Sequence, residues 1–137
     1  MITDLEAVLR IIIAVLVGLL IGFSRRHKPA GLRTFALFCL GCTVFTIVSI
    51  SFDPRYTDPS RVIAQIVTGI GFLGLGVIWH QGLGKPSGLT TAAAIWVTAA
   101  IGILVGLGMW PEAIVGTALT LGLLYSKDEL RKAHIEE

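Results

Sequence analysis

The sequence predicts an all-α protein, a polytopic membrane helical bundle of about five transmembrane helices. Apolar residues make up 54% of the 137 residues and charged residues 15%, whereas soluble domains carry about 25% charged residues. The mean hydropathy is +0.82. The apolar residues fall into runs that approach the ~20 residues needed to cross a bilayer. We therefore expect a transmembrane domain over residues 1–126 and a short cytoplasmic tail over 127–137.

Each predicted span is nearly free of charge. In the first span the single charge is Arg10, which is close enough to an end for its side chain to reach the interface. The fifth span is short unless residues 110–112 form its first turn. The connections are short, which favours antiparallel neighbours. In order, the spans are residues 7–23, 34–52, 62–79, 88–109 and 113–125.

The distribution of lysine and arginine predicts the orientation. Basic residues accumulate on the cytoplasmic side of membrane proteins. One side of the predicted bundle holds Arg25, Arg26, Lys28, Arg33, Lys85, Lys127, Arg131 and Lys132. The other side holds Arg10, Arg55 and Arg61. The N-terminus is therefore expected outside and the C-terminus in the cytoplasm. Acidic residues near the N-terminus, where a signal peptide is basic, indicate that the first span is retained.

Composition also excludes several classes of function. A net charge of +2 gives no reason to expect a nucleic-acid partner. The sequence shows neither a nucleophile–base pair nor paired buried carboxylates, so we do not expect an enzyme or a cofactor. Cys39 and Cys42 lie in one apolar run, and a zinc site requires four ligands. We interpret both cysteines as small buried residues.

The start of the third span offers a candidate metal ligand. Asp58 followed by Pro59 is typical of a helix N-terminus, where the carboxylate caps free backbone N–H groups. Alternatively, Asp58, with Asp53 nearby, supplies hard oxygen atoms to a cation such as Mg²⁺, which often takes one or two carboxylates and keeps several waters. Arg61 would pair with Asp58 or with a lipid phosphate.

Farther along the same helical face lies Gln65, one turn beyond Arg61. An amide at membrane depth normally faces the bundle and finds a partner. Gln65 would either join helices or continue a polar path that descends from Asp58.

Four glycines follow Gln65 in the third span. They favour close helix packing, or else an irregular segment that lines a cavity. The string GIGFLG has a dinucleotide-binding pattern, but it lies inside a membrane helix and we reject that interpretation. The glycines are Gly69, Gly71, Gly74 and Gly76.

Polar residues also occur where the second and fourth helices begin, on the expected cytoplasmic side. Thr90 and Thr91 would cap the fourth helix, bond back to its carbonyls or bond a neighbouring helix. The loop RRHKPAGLR sets topology and contacts anionic lipid, or forms a docking surface. Within it Arg33 lies at a helix start, where it could turn inward. Small-xxx-small pairs occur in two other spans, at Gly18 and Gly22 and at Gly102 and Gly106.

Three motifs in the chain resemble those of the MgtC/SapB family. They are PAGLRT at 29–34, DPSRVIAQIVTGIGFLGLGVIW at 58–79 and GLTTAAAIWVTAAIG at 88–102. The resemblance extends over nearly the whole chain. Two positions depart from the family pattern, since Ser24 replaces a frequent acidic residue and Ser87 a frequent basic one. The matching positions are Gly31, Arg33, Asp58, Arg61, Gln65, Gly69, Gly71, Gly74, Gly76, Thr90 and Thr91.

The resemblance implies a multi-pass protein of the bacterial inner membrane, linked to magnesium homeostasis, to low magnesium or host stress, and to virulence. It also implies contact with other membrane proteins, such as the F-type ATP synthase. Many members carry a soluble C-terminal domain after the membrane domain. Our first hypothesis is a regulatory protein of this kind. The alternative is a small, homo-oligomeric magnesium or cation transporter or channel that uses Asp58, Gln65 and the third helix.

Overall fold

The computed structural model shows five α-helices. It describes residues 2–28, 30–53, 55–79 and 88–132, with the backbone alone for residues 79 and 127–132. The helices are α1 (Asp4–Phe23), α2 (Leu32–Ser51), α3 (Ser60–Trp79), α4 (Leu89–Leu107) and α5 (Trp110–Lys132).

The observed helices confirm the predicted all-α class. Four of them, α1 to α4, are long and apolar enough to cross a membrane. The fifth begins at Trp110, so residues 110–112 do form its first turn, and it continues to Lys132, past the predicted start of the tail. Many large apolar side chains point outward, among them Leu16, Phe45 and Phe72, as expected for surfaces that face lipid.

The sequence of each helix end explains where the helices begin and stop. α1 starts with a capping box, in which the Thr3 hydroxyl accepts from the Glu6 backbone N–H and the Glu6 carboxylate accepts from the Thr3 N–H. α4 stops at Gly108, whose φ of 77° is in the left-handed region that favours glycine. After this tight turn α5 begins at Trp110.

Glycines join α1, α2 and α4 into a tightly packed unit. A methyl group at Gly18 would lie 2.6 Å from the Cα of Ala36, and one at Gly22 would lie 2.7 Å from the Cα of Leu32. Across the other interface, a methyl group at Gly102 would lie 2.7 Å from the Cys39 carbonyl oxygen. Because only glycine permits such approach, both small-xxx-small pairs are helix contacts.

Buried hydroxyl groups in this unit are hydrogen-bonded. The Thr43 hydroxyl of α2 donates to the Gly102 carbonyl of α4 at 2.7 Å. The hydroxyls of Thr46 and Thr98 donate to carbonyls one turn earlier in their own helices. Cys39 and Cys42 are buried in the same core and form no disulfide, in agreement with the prediction of small buried residues.

The remaining helices flank this unit. α4 contacts all four other helices, while α3 rests mainly on α4 and leaves most of its surface open. The Trp96 side chain, near the middle of α4, is 52% exposed. It lies on the outer surface of α4 because the inner faces are occupied by the close contacts with α1 and α2.

The two ends of the bundle are called here the Asp58 end and the Arg25 end. The Asp58 end comprises residues 2–10, 51–53, 55–61 and 107–112, and the Arg25 end comprises residues 23–28, 30–33 and 88–91 with the C-terminal part of α5. Two arginines fix the antiparallel order of α1 and α4. Arg10 donates to the Gly106 carbonyl at 2.7 Å, and Arg25 donates to the Thr91 hydroxyl at the other end.

Candidate functional site

A groove runs between α2 and α3 at membrane depth. Its volume is about 470 Å³. α2 contributes Phe38, Gly41 and Phe45, while α3 contributes Gln65 and Gly69 among other residues. The groove exists because α3 packs on α4 through one face and leaves the side toward α2 partly unfilled. Gln65 is its polar side chain in an otherwise apolar lining.

The structure places Gln65 on the outside of the bundle. We expected this amide to face the bundle and find a partner, but its side chain is exposed and borders the groove. The face of α3 that packs inward is instead formed by Ile66 and Ile70. These apolar side chains form the contact with α4. Because successive residues of a helix point in different directions, the Gln65 amide next to them faces away from α4.

The glycines of α3 contribute little to packing within the described chain. Gly69, Gly71 and Gly76 would have no atom within 4 Å of an added methyl group. Only Gly74 is in contact, 3.7 Å from the Ala92 side chain of α4. Close packing through these glycines is therefore present at Gly74 alone, and α3 is a continuous helix rather than a broken one.

A second, wider and more polar hollow of about 730 Å³ lies at the Asp58 end, and Val62 lines both it and the groove. Asp58 lies at its rim and accepts from the Ser60 backbone N–H at 2.9 Å. Hydrogen bonding from Ser60, together with the nearby Arg61 charge, lowers the pKa of the Asp58 carboxyl. The carboxylate therefore caps the first turn of α3, as the first interpretation predicted.

The arrangement around Asp58 bears on the magnesium hypothesis. Asp53 is engaged by Arg55 at 2.7 Å, which holds the pKa of the Asp53 carboxyl below its usual range. No group of three potential metal-binding side chains occurs in the part of the chain that the structure describes. A magnesium ion held here would rest on the Asp58 carboxylate and water, a combination that Mg²⁺ accepts.

The other predicted residues lie at the opposite end of the bundle. Arg33 and Thr90 are exposed, whereas Thr91 is buried. The structure thus places Arg61 and Gln65 on one face of α3 with Asp58 just before its first turn, but it does not bring Arg33 and the threonines to them.

Within the basic loop the residue that turns inward is Arg25, not Arg33. Arg25 is 6% exposed and donates to Thr91. No sequence pattern distinguishes Arg25 from its basic neighbours, because only the turn between α1 and α2 determines which of these side chains points inward. Ser24, at a position that departs from the family pattern, donates to the Ile21 carbonyl at 2.6 Å. Ser87, the other departure, lies outside the described residues.

These features define a small polytopic α-helical membrane protein with a lipid-exposed groove and a charged end on each side. A model of the MgtC family matches residues 11–133. The chain belongs to the MgtC family.

Curated relatives agree with this assignment. "Protein MgtC" of Salmonella typhimurium (strain LT2) is 46% identical over 116 residues, which cover 83% of this chain and 49% of that protein. A "Putative magnesium transporter YhiD" of Escherichia coli (strain K12) is 45% identical over 130 residues, covering 87% and 59%. The chain thus spans about half the length of the curated relatives it matches. No solved structure matches the chain.

Proposed function

We propose that this chain belongs to a regulatory protein of the bacterial inner membrane that acts in magnesium homeostasis by contacting other membrane proteins. The observation that carries the proposal is the open groove between α2 and α3, with the exposed amide of Gln65 on its wall. The magnesium link is supported by the name of the Escherichia coli relative. The orientation expected from the basic residues places the Asp58 end outside and the Arg25 end in the cytoplasm.

The physical reason for a partner lies in the chemistry of α3. An amide in hydrocarbon is unfavourable until it is hydrogen-bonded, and polar side chains together with small residues join transmembrane helices. Gln65 supplies the donor and acceptor, while Gly69 and Gly76 let another backbone approach. The occupant that we propose is a transmembrane helix of a partner protein, and the F-type ATP synthase is the first candidate to test.

Photo-crosslinking tests this contact directly. A photoreactive amino acid at Gly69, where the structure has open space, should crosslink in the native membrane to an ATP synthase subunit. The same amino acid at Ile12, an exposed position on α1, is the matched control. Gln65→Leu should weaken the product from position 69. Products that contain only a second copy of this chain, or equal products from both positions, would contradict the proposal.

A homo-oligomeric magnesium transporter is the second candidate. It is favoured by the shared exposure of Asp58, Arg61, Gln65 and Gly69 along one side of α3. In a symmetric assembly this side would line a path with Asp58 at its entrance.

Reconstitution separates the two candidates. Purified protein alone in liposomes should not move Mg²⁺ if its role is regulatory. Magnesium entry that Asp58→Asn abolishes and Glu112→Gln preserves would establish the transporter instead. Glu112 is a suitable control because it is an exposed carboxylate at the same end of the bundle.

A further inference from the structure

Arg25 carries a buried charge that the described chain does not fully satisfy. Its side chain lies in the turn after α1 and donates to the Thr91 hydroxyl, yet its Nε has no hydrogen-bond partner among the described residues. A guanidinium presents five N–H donors and keeps its proton in proteins. Burial lowers the pKa of Arg25, because water no longer solvates its charge. Such a group requires a counter-charge.

The contact of Arg25 with the N-terminal turn of α4 increases this need. Thr91 is in the first turn of α4, and the cap residue there is Gly88, which has no side chain to bond the free N–H groups. A helix N-terminus carries free N–H groups and a partial positive charge, so it attracts anions and disfavours cations. Arg10, whose Nε likewise has no hydrogen-bond partner among the described residues, lies at the other end of α4, where its guanidinium meets the Gly106 carbonyl and the helix dipole favours a cation.

Carboxylates with described side chains do not supply the counter-charge. All of them lie at the Asp58 end, on the opposite side of the bundle: Asp4, Glu6, Asp53, Asp58 and Glu112. The surroundings of Arg25 add exposed cations instead, namely Arg26, Lys28 and Arg33. The other acidic residues of the chain fall within 128–137, whose side chains lie outside the described part.

We propose that Arg25, Thr91 and the first turn of α4 form a binding site for a phosphate group. A phosphate oxygen accepts charge-assisted bonds from the guanidinium and from the free amides of a helix N-terminus at the same time. The group belongs either to the headgroup of an anionic phospholipid or to free phosphate. This site is distinct from the α2–α3 groove and does not depend on the function proposed for it.

The test uses the full chain in dodecyl maltoside, a detergent without phosphate or charge. Sodium phosphate, with sodium chloride at matched ionic strength as its control, is one arm. Phosphatidylglycerol added to the micelles is the other. Native mass spectrometry and the thermal unfolding midpoint report binding. We expect the wild type to bind and be stabilised in at least one arm, which identifies the source of the phosphate.

Matched variants assign the binding to Arg25. Arg25→Gln should weaken binding about tenfold or more, the effect of losing one charge-assisted hydrogen bond. Arg26→Gln removes the same charge from the neighbouring exposed residue, which lies over the Phe23 ring, and should leave binding nearly unchanged. If Arg25→Gln fails to fold, Thr91→Val provides the second test and should also weaken binding, because it removes the hydroxyl that holds the guanidinium.

Three results would overturn the proposal. The first is no binding by the wild type in either arm, as expected if a carboxylate from residues 128–137 already neutralises Arg25. The second is an equal loss in Arg25→Gln and Arg26→Gln, which would indicate attraction to the basic surface as a whole. The third is unchanged binding by both Arg25→Gln and Thr91→Val.

Discussion

At the scale of single residues, the two arginines that contact α4 differ in their electrostatic setting. Arg10 bonds a carbonyl near the C-terminal end of α4, where the helix dipole is negative, whereas Arg25 meets the positive end. Arg10 also contacts the turn at Gly108, where a methyl group would lie 2.6 Å from its Nη2. Arg10 therefore helps to hold α1 against α4, although its Nε, like that of Arg25, has no hydrogen-bond partner among the described residues.

Replacing Arg10 should destabilise the protein. Arg10→Gln removes a partly buried, charge-assisted bond to the Gly106 carbonyl, and such bonds contribute about 1.5–3 kcal/mol. Thermal unfolding in detergent would show the loss as a lower midpoint. Arg61→Gln, at an exposed position near the same end of the bundle, should change stability by less than about 0.5 kcal/mol. Equal losses in the two variants would contradict the structural role of Arg10.

At the scale of helices, the surroundings of the glycines distinguish the tightly packed helix pairs from the loosely packed α3. The contacts of α1 with α2 and of α2 with α4 depend on glycines that face backbone atoms. The glycines of α3 mostly face open space. Glycine thus permits close helix packing at some positions and leaves open space at others, and the difference depends on whether a neighbouring helix of this chain lies opposite.

An alanine at Gly18 should destabilise the bundle. The new methyl group would lie 2.6 Å from the Cα of Ala36 and 2.7 Å from the Phe35 carbonyl oxygen. Overpacking of this kind typically costs about 1–3 kcal/mol. The control is Gly122→Ala in α5, where no atom lies within 4 Å. Because alanine favours helix more than glycine does, the control should be neutral or stabilising by up to ~1 kcal/mol. Comparable midpoints for the two variants would refute the packing argument.

The loose attachment of α3 has a measurable consequence. Only 11% of its apolar stretch is buried in the bundle, against 50% for α4. Helices with few buried contacts open more often, so α3 amides should exchange with deuterium sooner than α4 amides in detergent. Hydrogen exchange with mass spectrometry checks this order. Equal protection of the two helices would contradict this expectation and would indicate that another molecule covers α3 in detergent.

The sequence predicted the helices far better than it predicted their faces. Length and hydropathy predicted all five helices, because crossing a bilayer requires a run of apolar residues whatever its neighbours are. Of the described helices, α1 to α4 are long and apolar enough to cross one. The pairs Gly18/Gly22 and Gly102/Gly106 were also recognised. The orientation of Gln65 was not, since an amide at membrane depth is expected to face the bundle, whereas Ile66 and Ile70 form the inward face of α3. The inward turn of Arg25 likewise depends on tertiary contacts that no local pattern encodes.

At the scale of the whole molecule, charge is divided between the two ends. The described carboxylates lie at the Asp58 end, and the basic loop from Arg25 to Arg33 lies at the other. Basic loops remain on the cytoplasmic side during insertion. This division is the basis for the proposed orientation, with the N-terminus outside.

Cysteine labelling in intact cells tests the orientation. Tyr56→Cys introduces a thiol at the Asp58 end, at a position that is 83% exposed. Arg26→Cys introduces one at an exposed position of the Arg25 end. A maleimide that cannot cross the inner membrane should label the first thiol directly and the second only after the membrane is opened. The native thiols are buried and should stay silent. The reverse order of labelling would invert the topology.

The direct contact between α2 and α4 has a consequence for how the protein is made. During synthesis α3 leaves the ribosome before α4, yet α4 provides most of the surface on which α3 rests. α1 and α2 can close their glycine contacts as soon as both are in the membrane. α3 then has little surface to pack against until α4 inserts and contacts both α2 and α3. At a stage with three inserted helices, α3 therefore lacks most of its packing surface, whereas Gln65 is on the outside both then and in the finished bundle.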